Sequence, residues 1–166
     1  MSIVHGDLGS QGICTPNPFV DILYISTTIT LEENIKDLFF KSAYLVATQL
    51  GKENKLKDLR KVRCIFSGDN KITFSIGENC AGEKNVFITY PIKKWDEQAY
   101  NNLNILTIFT EEFCHHFWNI DDEVEVKQKV LEVLQNETPE LTLEKLYVTD
   151  WMEEYKTDKS AYYNLK

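Results

Sequence analysis

Apolar and polar positions along the chain change period several times, and each change marks an element. Phe19 to Thr28 (FVDILYISTT) is rich in β-branched and aromatic residues and predicts a buried strand. Thr30-Leu31-Glu32-Glu33 then has the Thr-x-x-Glu form of a capping box, in which each side chain satisfies an orphan amide. Leu31, Ile35, Leu38, Phe39, Ser42 and Val46 follow at helical spacing and predict a helix ending near Gly51. Two further strands are predicted at Val62 to Phe66 and Ile72 to Ile76, joined as a hairpin through Ser67-Gly68-Asp69-Asn70. Asn79 to Asn85 is a polar loop, and Val86 to Tyr90 is a short apolar strand closed by Pro91.

The second half is helical. One long helix is expected from about Asp96 to Trp118, with a break at Asn119-Ile120. Asp121 is positioned to cap a further helix reaching Leu134, which Thr138-Pro139-Glu140 interrupts. The tail from Leu141 to Lys166 is amphipathic and aromatic and predicts one or two short helices. Strands early and helices late make an α+β fold, a short mixed or antiparallel sheet covered by helices on one face.

Composition narrows the function classes. At 166 residues the chain has the size of one domain, with residues 1–17 irregular, 18–135 a core and 136–166 a helical tail. Its 43% apolar and 27% charged residues are those of a globular protein, and no apolar run approaches a membrane span. The stretch MSIVHGDLGSQGICTPN lacks the basic flank and apolar segment of a secretory signal. Cys14, Cys64, Cys80 and Cys114 are widely spread and form no CxxC pair, so reduced thiols and a cytoplasmic location are expected. A net charge of −8 without a basic stripe argues against nucleic acid as a partner and leaves a protein or peptide.

One run carries candidate chemistry: Glu111-Glu112-Phe113-Cys114-His115-His116. Residues four apart on a helix are neighbours, so Glu111 and His115 project side by side and can share one ion. A third ligand must come from another element. Glu123 stands three, seven and eleven residues before Val126, Val130 and Leu134, on the face expected to pack, where an acid needs a partner or a metal. Glu125, Lys129 and Glu132 share a face expected to be solvated, and His116 is expected to face outward or to cap the helix dipole. Cys114, Phe113, Phe117 and Trp118 are core candidates. The same Glu–His spacing also suits an ordinary surface pair, which leaves two readings of the run.

Residues 105–134, ILTIFTEEFCHHFWNIDDEVEVKQKVLEVL, resemble a degenerate version of the active-site helices of zincin metallopeptidases. That superfamily places His-Glu-x-x-His on one helix and, in its gluzincin branch, a Glu on a following helix. Glu111 stands where the first His belongs, Glu112 matches the catalytic Glu, His115 matches the second His, and Glu123 is the candidate third ligand. The resemblance implies a zincin-like core, with the strand Val86 to Tyr90 as the substrate-facing edge. It implies a metal-dependent hydrolase, a peptidase, holding Zn²⁺, or less readily Mn²⁺ or Fe²⁺, on Glu111, His115 and Glu123, with Glu112 as general base. Two carboxylate ligands would weaken the Lewis acidity of the ion, so a slow or lost activity is expected. The rival reading is a non-catalytic acidic module that binds a protein, such as an inhibitor of a nucleic-acid-binding machine.

Overall fold

The computed structural model describes residues 12–68, 86–148 and 152. A 3-10 turn at Asn17–Phe19 leads into β1 (Leu23–Thr27), α1 (Glu33–Lys52), β2 (Val62–Ser67) and β3 (Phe87–Pro91). Then come α2 (Ile92–Glu97), α3 (Asn102–Trp118), α4 (Glu123–Leu134) and the short α5 (Leu143–Leu146). The α+β class holds. The sheet among the described residues is parallel, in the order β1-β2-β3, not mixed or antiparallel as expected. The reason is the α1 crossover: a helix between two strands of one sheet returns the chain to the same end and makes them parallel. β2 carries the mark of such a sheet, since Cys64, Ile65 and Phe66 are all buried and apolarity does not alternate. The expected strand Ile72 to Ile76, its hairpin turn beyond Gly68 and the loop Asn79 to Asn85 lie outside the described residues.

Register aligns Ile25, Cys64 and Ile88 in one row across the sheet, and Thr27, Phe66 and Tyr90 in another on the same face. α1 and α3 cover this face of the sheet. Between them Phe39 meets the rings of Phe66, Tyr90, Phe109 and Phe113 at centroid separations of 5.2, 6.2, 5.3 and 5.5 Å, in edge-on geometries that the ring quadrupole favours. The two helices run parallel, because Asn34 bonds Asn102 and Ser42 bonds Thr110, with the same sequence separation of 68 residues. The Thr110 hydroxyl donates to the Leu106 carbonyl at 2.7 Å, so the buried Ser42 hydroxyl must be the donor to Thr110 Oγ1.

The helical stripe of α1 is as expected, with Leu31, Ile35, Leu38, Phe39, Ser42 and Val46 all buried. Its start is not. Glu32 occupies the N-cap without a side-chain bond, and the Thr30 capping box does not form. The expected long helix from Asp96 is two helices. The chain turns through Ala99 at φ 52°, and an Asn101–Asn104 capping box starts α3 afresh. At the next junction the cap is Asp122 rather than Asp121, its Oδ1 accepting from the amides of Val124 at 3.0 Å and Glu125 at 2.9 Å.

Candidate metal centre

α3 ends on Asn119, whose left-handed conformation (φ 55°, ψ 47°) reverses the chain and lets α4 fold back beside α3. Asparagine tolerates this region better than most residues because its short amide offsets part of the steric cost. The reversal brings Glu123, in the first turn of α4, against the last two turns of α3. Glu111, His115 and Glu123 there each offer one ligand atom, and these atoms lie within 4.8 Å of one another. The group is one that can hold a metal ion. Ligands of a tetrahedral zinc ion stand about 3.4 Å apart, given bonds of about 2.0–2.2 Å, so the widest pair has at most roughly 1.4 Å to close.

The His115 ring is fixed by a hydrogen bond. Its Nδ1 lies 2.6 Å from the carbonyl oxygen of Ile120, and a carbonyl only accepts, so Nδ1 carries the proton. In the neutral ring the lone pair is then on Nε2. A backbone carbonyl that fixes ring and tautomer is the usual outer partner of a metal-binding histidine.

The site also contains a cation of its own. The Lys127 ammonium stands 3.1 Å from Glu111 Oε1 and 3.6 Å from Glu123 Oε2, and its side chain is only 12% exposed. It lies 4.7 Å from the centre of the Tyr147 ring. Burial and the Glu111 carboxylate together push the Tyr147 phenol well above its ordinary range. Neither Lys127 nor Tyr147 was among the residues singled out from sequence. Lys127 follows Glu123 by four, a spacing visible in the sequence; nothing local marks Tyr147.

Glu123 sits differently from the expectation. Val126, Val130 and Leu134 are buried, but the Glu123 side chain is 43% exposed and occupies the rim of the packed face. Glu112 is half-buried on the adjacent strip of α3. Burial raises its carboxyl above the usual range, His115 draws it down, and the charges of Glu111 and Glu123 push it up again. Its field also reaches the buried Tyr90 hydroxyl and the Cys64 thiol, the latter pushed up to about 12 chiefly by burial.

Two expectations about neighbouring residues are corrected. His116 does not face outward: it is 6% exposed, its Nε2 lies 2.8 Å from the Arg60 carbonyl, and Arg60 returns a bond of 2.7 Å to the His116 carbonyl. Burial lowers its imidazole below the ordinary value. Lys129 and Glu132 are not simply solvated. Lys129 bonds Glu53 at 3.1 Å, Gln49 reaches Glu53 at 2.8 Å and Glu132 at 2.6 Å, and the Trp118 indole donates to Glu53 at 2.7 Å. That network fastens α1 to α3 and α4 beside the site. Cys114 and Phe113 are core, while Phe117 and Trp118 are partly buried.

No protein-family model, curated protein or solved structure matches this chain. No helix among the described residues is long and apolar enough to cross a membrane.

Proposed function

We propose that the groove between α3 and α4 is a divalent-metal site in a zincin-like, degenerate metal-dependent hydrolase. The observation that carries this reading is the convergence of Glu111, His115 and Glu123 within 4.8 Å, with His115 already committed at Nδ1. A two-carboxylate, one-imidazole set suits Zn²⁺ and also the harder Mn²⁺ and Fe²⁺. A bound ion supplies Lewis acidity, moderated here by two anionic ligands. Glu112 is the candidate general base: it adjoins the first ligand on α3, and burial makes its carboxylate a better proton acceptor than a solvated one. β3, an edge among the described strands, is the candidate surface for an extended peptide.

A second reading is favoured by Lys127, whose ammonium already pairs with both carboxylates. In that reading the groove is a closed ion-pair cluster, and the protein is a metal-free acidic module acting on a protein partner. Metal analysis of protein purified without chelators, with a general peptidase assay alongside, separates the two. Near-stoichiometric zinc, manganese or iron supports the site; metal-free protein that takes up none on dialysis favours the module.

A further inference from the structure

We propose that Lys127 is a displaceable internal counter-ion, and that loading the groove with a divalent ion exchanges this ammonium for the metal. The inference rests on the metal-site reading above and adds to it the step that controls occupancy. Lys127 lies one helical turn after Glu123 on α4 and reaches across to Glu111 on α3, so it ties together the two carboxylates that the ion must also join.

Charge decides that the two cations exclude each other. The paired carboxylates carry −2, and with the Lys127 ammonium the cluster stands at −1. A divalent ion that replaced the ammonium would bring it to zero. One added to the ammonium would leave +1 and two cations a few ångströms apart in a half-buried place, where repulsion is poorly screened. Geometry agrees. The ammonium holds one oxygen of each of the two carboxylates that the ion would also have to join. Lys127 has a flexible four-carbon stem and can withdraw its head toward solvent while the stem stays packed.

The consequence is that apparent metal affinity is set by the cost of releasing Lys127 as well as by the ligands. Two partly buried ion pairs break on loading, so Lys127→Met, which keeps the stem and removes the charge, should bind zinc about tenfold tighter. Lys127→Arg retains the charge and should stay near the wild-type affinity. In the metal-free state Lys127→Met leaves two carboxylates facing each other, so its melting temperature should fall and zinc should raise it more than in wild type.

The test is calorimetric titration of zinc chloride into wild type, Lys127→Met and Lys127→Arg, with melting curves with and without zinc. Tighter binding by Lys127→Met alone supports the exchange, as does binding by Lys127→Met where wild type shows none. Equal affinity in all three overturns the exchange while leaving the metal site intact. No binding by any folded variant overturns both. If Lys127→Met does not fold, Lys127→Gln, which keeps hydrogen-bonding capacity, carries the same prediction.

Discussion

His115 donates a hydrogen bond from Nδ1 to the carbonyl of Ile120 across 2.6 Å, and this bond joins the turn that reverses the chain to the ring whose Nε2 would bind a metal. The turn depends on Asn119 in the left-handed region. Asn119→Val should cost about 1–2 kcal/mol, because a β-branched residue is strained there. It should also weaken zinc binding by loosening His115. Asn119→Gly should preserve both. Urea denaturation and a zinc titration of the two variants check this, and an unaffected Asn119→Val would break the link between turn and site.

Glu111→His should raise zinc affinity. The change rebuilds His-Glu-Phe-Cys-His on α3, replaces a carboxylate by imidazole, and removes the closer of the Glu111 and Glu123 ion pairs to Lys127. Competitive titration against a zinc-binding dye compares the variants. A folded Glu111→His protein with unchanged affinity would return Glu111 and His115 to the status of a helix-surface pair.

Glu53 gives a pH dependence with a definite sign. Burial raises its carboxyl, but bonds from Trp118, Gln49, Lys55 and Lys129 outweigh this and bring it from 4.5 down to about 2. A folded-state value below the unfolded one contributes stability that is complete above about pH 4.5 and is lost as pH falls toward 2. Wild type should therefore lose urea resistance more steeply than Glu53→Gln between these values. Parallel acid limbs would show that the network carries no such linkage.

Nucleic acid should not bind appreciably at physiological salt, given the net charge of −8. An anisotropy titration with labelled DNA and RNA checks it. Micromolar, salt-sensitive binding would mean that the basic residues gather in space in a way their order along the chain conceals.

Local pattern carried much of the fold. The α1 stripe was legible because a helix buries residues at a fixed period, and the Asn119 break because few residues accept its conformation. Strand direction was not legible from the strands themselves; it follows from the α1 crossover, which links elements 39 positions apart at Leu23 and Val62. The division between α2 and α3 was missed because no Gly or Pro interrupts Asp96 to Asn102, and the Asn101–Asn104 cap reads as ordinary polar sequence. At the site, Glu111 and His115 were found by helical spacing and Glu123 by phase, although phase placed it deeper than the rim where it sits. Lys127 was hidden for another reason. A lysine beside acids looks like a solvated helix face, and only the α3–α4 packing shows its ammonium reaching Glu111.

The central claim is that Glu111, His115 and Glu123 form one metal-binding unit, and calorimetric zinc titration of wild type, His115→Ala and Glu123→Ala tests it most directly. The account predicts one equivalent of zinc on wild type. It predicts that each substitution weakens binding by more than the roughly 10–100-fold that losing an outer-shell partner costs. Zinc bound as tightly after His115→Ala as before would contradict it, as would folded protein that takes up none even with Lys127 replaced by Met.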